Sequence, residues 1–188
     1  MPRILGISGS LRRGSYNTAL LNAAAALVEA GTELEIASIR GVPLYDGDVE
    51  ASQGLPPTVQ DLKARVIACD ALLLATPEYN NSIPGVFKNA IDWMSRPPAD
   101  IPKVFGDRPV AVIGASAGGF GTVLAQSAWL PLMHTLRMRP WFGGRLVVPR
   151  AGQVFNDAGE LVDEAVRSQL RQFLQGFAYF IQFSPRHE

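Results

Sequence analysis

The chain has 188 residues, with 17 basic and 17 acidic side chains, a formal net charge of zero and one cysteine, Cys69. A chain of this length can bury a full hydrophobic core, so we predict one domain spanning residues 1–188. Zero net charge disfavours binding to nucleic acid, and a lone cysteine excludes an intrachain disulfide or a CxxC site.

Two further observations narrow the class of protein. The first residues contain no apolar segment long enough for a signal peptide or a membrane span, which together with the lone cysteine predicts a cytoplasmic protein that does not bind a membrane. The two histidines, His134 and His187, lie in unrelated contexts and are expected to be structural or solvated. We therefore expect no metal site.

The first part of the chain alternates between strand and helix patterns. We predict strand 3–8, helix 17–30, strand 33–39 and a helix from 58 to about 68. The first helix is expected to end at Gly31, a residue suited to a left-handed cap. Thr58 and Asp61 resemble a capping box that would open the second helix, after a Pro- and Gly-bearing loop.

The rest of the chain repeats the pattern. We predict strand 71–76, a helix from about 84 to 94, strand 109–114, helix 122–136, strand 146–148 and a closing helix 161–181. Residues 98–108 are predicted to form a loop and residues 156–159 a turn. Strands that are apolar throughout are typical of sheets buried on both faces. The five repeats predict an α/β fold with a doubly wound, five-stranded parallel sheet and helices on both faces.

Ligands of open parallel sheets bind beyond the carboxyl ends of the strands, where the strand order reverses. The loop after the first predicted strand supplies two hydroxyls, two guanidinium groups and an amide, from Ser10, Ser15, Arg12, Arg13 and Asn17. It ends where a helix begins, which favours a phosphate site. The alternative is a solvated turn in which Ser15 or Asn17 only caps the helix. Neither a Walker lysine nor a GxGxxG fingerprint is present.

The loops after the third and fourth predicted strands suit a flat ring. Pro77 and Pro84 stiffen a loop that presents Glu78, Tyr79 and Asn80, although an ordinary turn with Tyr79 as a half-buried cover would look similar. The fourth loop, GASAGGFG, adds the Ser116 hydroxyl and glycines that allow close approach of the backbone; a glycine-rich turn is the alternative. Together the three loops indicate a mononucleotide with an aromatic head.

Three blocks of the sequence carry a family resemblance. GISGSLRRGSYNTALLNAA, TPEYNNSIPGVFKNAIDWMSRP and GASAGGFGTVLAQSAWLPLMHTL resemble the signature blocks of the NADPH-dependent FMN reductase family, in the branch that includes bacterial chromate and quinone reductases. The second block is the most specific. The resemblance implies a flavodoxin-like fold with non-covalently bound FMN.

The resemblance also implies which residues bind the cofactor. By position, the phosphate and ring contacts fall on Ser10, Arg12, Arg13, Ser15, Tyr16, Asn17, Pro77, Glu78, Tyr79, Asn80, Ser116, Ala117, Gly118 and Gly119. The implied reaction passes electrons from NAD(P)H to FMN and then to a quinone or a similar acceptor such as a chromate, azo, nitro or ferric compound. No catalytic side chain is expected, because the flavin carries the chemistry.

Members of this branch are usually homodimers or homotetramers. Residues 43–48 and 93–97 have aromatic and charged groups typical of interfaces, with the alternatives that Trp93 is core and that Asp46 and Asp48 are solvated. Trp129, Met133 and Leu136 are expected in the core of their helix or in an interface. Residues 138–142, MRPWF, are this chain's own version of a segment that bears on acceptor range and oligomer contacts.

An FMN-binding protein that is not an enzyme is the alternative class of function. A flavodoxin-type electron carrier, or an FMN-binding protein without turnover, would use the same cofactor site. Carriers that dock basic partners tend to be strongly acidic, whereas this chain is neutral. The charge therefore favours the oxidoreductase.

Overall fold

A computed structural model describes residues 1–183 and contains one parallel β-sheet with helices on both faces. The strands are β1 (Arg3–Ser8), β2 (Glu33–Ser38), β3 (Ala71–Ala75), β4 (Pro109–Ala115), β5 (Arg139–Pro140) and β6 (Leu146–Val148). The helices are α1 (Tyr16–Leu27), α2 (Gly47–Gln53), α3 (Pro57–Ala68), α4 (Gly85–Met94), α5 (Ile101–Val104), α6 (Val123–Thr135), α7 (Ala151–Val154) and α8 (Glu164–Phe183), with a 3-10 turn at Pro98–Asp100.

The strand order is β2-β1-β3-β4-β5, and β6 also pairs with β4. Thus β5 lies beside Pro109 and Val110, and β6 lies beside residues 113–115 of the same strand. The two short strands share one edge position, so the sheet is five strands wide, as predicted. Chain order reverses between β1 and β3, which brings the loops after β1, β3 and β4 together at the carboxyl edge of the sheet.

Strand β3 shows why the sheet sequence is apolar throughout. Leu73 packs into the core beneath α1 and α8, whereas Leu72 and Leu74 pack into the core beneath α3, α4 and α6. Every residue of β3 is fully buried, because alternate side chains face opposite covered sides.

The structure corrects several predicted boundaries. Helix α1 ends at Leu27, where Val28 turns extended and donates its N–H to the Ala24 carbonyl. Gly31 does adopt a left-handed φ of 94°, but in the turn before β2 rather than as the cap. The capping box at Thr58 is wrong: α3 starts at Pro57 without a side-chain cap, and the Thr58 hydroxyl donates to the Gly41 carbonyl at 3.1 Å.

Short elements occupy segments that were expected to be loops. Helices α2, α5 and α7, the 3-10 turn and strand β5 were not predicted. Asp46 is not merely solvated, since its carboxylate caps α2 by accepting the Asp48 N–H at 2.8 Å. The closing helix begins at Glu164, three residues later than predicted.

The expected interface segments contain two aromatic residues, of which Trp93 lies inside the chain and Tyr45 is exposed. Trp93 is fully buried, donates to the Pro43 carbonyl at 2.9 Å and meets the Tyr45 ring edge-on, so its alternative as a core residue is confirmed. Trp129, Met133 and Leu136 are buried as well. In the segment 138–142, Trp141 packs against Phe173 of α8, whereas Phe142 is exposed.

The amino edge of the sheet contains two buried cations. Arg108 is fully buried and donates to the carbonyls of Val104, Cys69 and Lys103. Lys63 donates to the Arg96 carbonyl and forms an ion pair with Asp100 at 2.6 Å. Both cations therefore join helices and loops around the starts of the central strands.

No helix within residues 1–183 combines the length and the apolar character that a membrane span requires.

Candidate functional site

Loops after β1, β3 and β4 enclose a cavity of about 290 Å³, here called the carboxyl-edge cavity. It is lined by Ser10, Arg12, Ser15, Tyr16, Asn17, Pro77, Glu78, Tyr79, Ala115, Ser116 and Ala117. The structure thus brings together most of the residues singled out in the sequence. Arg13, Asn80, Gly118 and Gly119 belong to the same loops but do not line this cavity.

The β1 loop is held by its own hydroxyl groups. Ser15 is buried and caps α1 by accepting the Thr18 N–H at 3.3 Å, and Ser10 accepts the Arg12 N–H at 3.3 Å. Ser15 therefore does cap the helix, as the alternative stated. The first N–H groups of a helix have no partner within it, so those of Tyr16 and Asn17 point to the region in front of α1. Hydroxyls, N–H groups and a guanidinium meet there.

Asn17 fastens the start of α1 to the end of β4. Its side chain is 3% exposed, and its amide donates to the Ala115 carbonyl and accepts the Ala115 N–H, each at 2.9 Å. These two residues are 98 positions apart in the chain. One donor and one acceptor of the amide are therefore engaged inside the protein, and the pair fixes the β1 loop relative to the β4 loop.

The side chains of the two neighbouring arginines, Arg12 and Arg13, line different cavities. Arg12 lines the carboxyl-edge cavity with its guanidinium carbon 5.2 Å from the centre of the Tyr16 ring. Arg13 lines a second, polar cavity of about 370 Å³ between the start of α1 and the turn around Asn156. Within residues 1–183, neither side chain forms an ion pair. The sequence groups these cations, whereas the structure assigns them to different cavities.

The β3 loop forms a tight turn. Tyr79 and Ser82 exchange backbone hydrogen bonds at 3.3 and 3.1 Å, and Asn80 and Asn81 between them have φ values of 51° and 62°. Asparagine tolerates this left-handed conformation better than most residues. The Tyr79 ring is 50% exposed at the mouth of the cavity.

Glu78 makes a contact that the sequence did not reveal. Its carboxylate accepts the backbone N–H groups of Leu124 and Ala125 at 2.8 and 2.9 Å. The side chain thus lines the cavity while bonding to the first turn of α6.

The β4 loop is anchored on both sides of its exposed tip. The Gly118 carbonyl accepts the Arg150 N–H at 2.9 Å, and Gly121 has a φ of 64° with no room for a side chain, since a Cβ would lie 2.1 Å from Val147 Cγ1. Between them Phe120 is 86% exposed. Sequence reasoning did not single out Phe120; the only signal was one aromatic residue among glycines.

Two other features bear on the chemistry. Among the residues that the structure describes, no group of three His, Cys, Asp or Glu side chains could hold a metal ion. His134 is exposed near the end of α6, and His187 lies outside the described residues. A separate, largely apolar cleft of about 290 Å³ lies between α6 and the 140–145 segment, with Leu130 and Phe142 in its walls.

Comparison with known proteins identifies similar chains. The sequence pattern of the family "NADPH-dependent FMN reductase" matches residues 2–153. An NAD(P)H-dependent FMN reductase of Pseudomonas aeruginosa is 44% identical over 96% of this chain and 95% of its own. A quinone reductase of Escherichia coli is 34% identical over 96% and 95% of the two chains. The solved structure of a flavoenzyme NAD(P)H:(acceptor) oxidoreductase from Paracoccus denitrificans superposes with a TM-score of 0.87 at 31% identity, covering 98% of this chain and 100% of that one.

Proposed function

The chain belongs to the NADPH-dependent FMN reductase family, and from that premise we propose that its NAD(P)H-dependent FMN oxidoreductase activity takes place at the carboxyl-edge cavity. The proposal rests on one observation, which is that the two ends of this cavity have different chemical groups. One end has hydroxyl, N–H and guanidinium donors, and the other has Pro77 and the exposed Tyr79 ring.

The donor set fits FMN. A phosphate needs charge-assisted donors, which Arg12 supplies beside the hydroxyls of Ser10 and Ser15 and the N–H groups at the start of α1. A flat ring needs apolar surface together with backbone polar groups, which residues 77–79 and 115–117 provide. Arg13, Asn80, Gly118 and Gly119 remain in the proposed cofactor set as neighbours of this core group.

FMN bound in this cavity would supply the redox chemistry between NAD(P)H and the acceptor. The chain contributes binding and orientation. Arg12 would neutralise part of the phosphate charge. Ser15 and Asn17 hold the start of α1 in place through their hydrogen bonds. The β3 loop would fix the position of the flavin ring. We assign no side chain to obligatory proton transfer.

We propose quinones as the acceptor class. Two exposed aromatic rings, Tyr79 and Phe120, belong to the two loops that flank the proposed ring site, and a flat acceptor could pack between them. Relatives of this chain include proteins called quinone reductase and 2-hydroxy-1,4-benzoquinone reductase. Chromate, azo, nitro and ferric compounds are the other acceptors to be compared.

We also infer that copies of the chain assemble as a homodimer or homotetramer. Leu124 and Leu130 on α6 and Val86 on α4 are apolar and 49%, 44% and 37% exposed, and exposed apolar side chains of this kind support the proposed interface. Sedimentation of the wild type beside Leu130→Asp would measure this. Residues 1–188 are proposed to act as one FMN-binding domain in the cytoplasm, where NAD(P)H is available as donor.

The activity is tested by mixing the purified yellow protein anaerobically with NADH or NADPH. We expect the visible flavin absorption to bleach within seconds and to return when a benzoquinone is added. A flavin that stays oxidised with both donors would exclude the oxidoreductase and favour an electron carrier. Steady-state rates across the acceptor panel with each donor would then rank the acceptors.

The acceptor site is tested by Phe120→Ala. Loss of one aromatic contact should raise KM for benzoquinones by up to about tenfold and leave ferricyanide, which needs no ring contact, unaffected. Phe142→Ala is the matched control, because Phe142 is equally an exposed phenylalanine but lines the separate cleft. Equal KM values for both variants and the wild type would remove Phe120 from the acceptor site.

A further inference from the structure

Helix α6 is capped by a residue from a distant part of the sequence. Thr122 stands at its N-cap position, but its side chain does not cap the backbone N–H groups of the first turn. The acceptor for the first turn is instead Glu78, which lies 46 residues earlier on the β3 loop and receives the N–H groups of Leu124 and Ala125. A negative charge at the positive end of a helix forms charge-assisted bonds of this kind.

This contact joins two walls of the carboxyl-edge cavity. Pro77 and Tyr79, beside Glu78, belong to the wall formed by the β3 loop, and α6 continues the wall formed by the β4 loop. At their bases the two walls are already close, since a Cβ at Gly114 would lie 2.0 Å from Thr122 Oγ1 and 2.5 Å from the Thr76 carbonyl. Farther from the sheet, the Glu78 carboxylate links them through its two hydrogen bonds.

We propose that Glu78 is a positioning residue for the flavin ring. Its carboxylate holds the β3 loop at a fixed spacing from α6, so that the backbone of residues 77–79 meets the ring in one orientation. The inference rests on the proposed position of the ring in this cavity. It assigns to Glu78 a role through α6, rather than the direct ring contact that the family resemblance suggested.

The chain offers a matched control on the same helix. Gln126 donates its side-chain amide to Thr122 Oγ1 at 3.2 Å and to the Leu146 carbonyl at 2.9 Å, and the latter bond anchors α6 to β6. This bond is as short as those of Glu78, but it does not involve the β3 loop. Gln126→Ala therefore weakens the attachment of α6 without releasing the cavity wall.

The experiment compares Glu78→Ala, Glu78→Gln and Gln126→Ala. Flavin-free protein is titrated with FMN, and the visible circular dichroism of the bound flavin reports its orientation. We expect Glu78→Ala to weaken FMN binding about tenfold and to change the dichroism. Glu78→Gln retains one oxygen acceptor but loses the negative charge, so it should recover only part of the affinity and of the wild-type spectrum. Gln126→Ala should lower the thermal midpoint and leave both flavin readouts unchanged.

Two outcomes overturn the inference. One is wild-type affinity and dichroism in Glu78→Ala; the other is an equal loss in Gln126→Ala, which would reduce Glu78 to a general stabiliser of α6. If Glu78→Ala does not fold, the same comparison is made between Glu78→Gln and Gln126→Ala, with an intermediate loss expected only in the former. Arg12→Ala distinguishes an error about Glu78 from an error about the cofactor site. If Arg12→Ala also leaves FMN affinity unchanged, the proposed site itself is wrong.

Discussion

The two edges of the sheet use arginine in opposite ways. At the amino edge Arg108 is fully buried, and its donors are engaged by backbone carbonyls of three residues. At the carboxyl edge Arg12 and Arg13 are exposed and form no ion pair within residues 1–183. A cation whose donors are used inside the chain stabilises the fold, whereas one whose donors face outward can bind an anion from solution.

The same contrast holds for the loops around these residues. Segments at the amino edge are short helices and turns that pack against the starts of β3 and β4, and Lys63 and Arg108 satisfy their carbonyls. Loops at the carboxyl edge satisfy each other through side chains, as Asn17 and Glu78 do, and leave a cavity between them. We therefore expect substitutions at the two edges to affect different measurements.

The largest expected effect is on stability, from Arg108→Met. Removal of the guanidinium leaves several buried carbonyls without a donor, and each such group costs about 1–3 kcal/mol, so we expect a loss of at least about 3 kcal/mol in the free energy of unfolding. Urea denaturation measures this loss. The folded fraction should retain the FMN affinity of the wild type.

Arg145→Met is the control for Arg108→Met, because Arg145 is exposed and surface substitutions usually change stability by less than about 0.5 kcal/mol. A loss below about 1 kcal/mol in Arg108→Met would contradict a stabilising role for the buried arginine.

The second largest expected effect is on cofactor binding, and it should leave stability nearly unchanged. Arg12→Ala should weaken FMN binding by about 1.5 kcal/mol, roughly tenfold, through loss of a charged hydrogen bond, while the free energy of unfolding without FMN stays nearly constant. Fluorescence titration of the flavin-free protein measures the affinity. Arg13→Ala, in the neighbouring cavity, should lose less; an equal loss would show that both arginines reach the phosphate.

The smallest effect is the acid sensitivity of the amino edge, tested with Asp100→Asn. The hydrogen bond from Lys63 and its positive charge hold the pKa of Asp100 below its ordinary value of 3.8. Because the pKa is lower in the folded chain, the ionised carboxylate stabilises the fold above the ordinary value, and this contribution is lost as the pH falls through the folded-state pKa.

Wild-type stability should therefore fall more steeply than that of Asp100→Asn on acidification from about pH 4 to pH 2. Thermal unfolding at a series of pH values measures the two slopes. Parallel slopes would remove Asp100 as a source of acid sensitivity, and FMN affinity at neutral pH should be the same in both proteins.

The sequence predicts the main strands and the long helices because each carries a strong periodic pattern. Strands β1 and β6 have the predicted bounds, α4 begins one residue later than predicted, and α6 is one residue shorter at each end. Helices α2, α5 and α7 were missed, since segments of four to seven residues show no complete hydrophobic period. Their existence depends on tertiary packing instead.

The position of the carboxyl-edge cavity could be predicted from the sequence, but the contacts within it could not. Polar loops after successive parallel strands converge at one edge, which was enough to bring Ser10, Arg12 and Tyr79 together. No local pattern, however, shows that Arg13 turns away from Arg12, or that Glu78 reaches α6 across 46 positions. Such contacts depend on side-chain directions in the assembled fold.

The segment 138–142 is this chain's own version of a family segment, and its packing explains the residues found there. Trp141 fits among glycines, because a Cβ at Gly143, Gly144 or Gly176 would lie 2.5–2.8 Å from its indole. Gly176 stands inside the long helix α8, where glycine is unfavourable by about 1 kcal/mol relative to alanine. The indole and its three glycines therefore form one packing unit, and substitution of a single member would disturb the others.

The paired hydrogen bonds between Asn17 and Ala115 have a practical consequence. They involve only protein atoms, so this link between the β1 and β4 loops does not depend on a bound cofactor. We therefore expect that the flavin-free protein can be reloaded with synthetic flavins of altered redox potential. The protein would then serve as a scaffold in which the driving force of the reaction is varied while its surroundings remain constant.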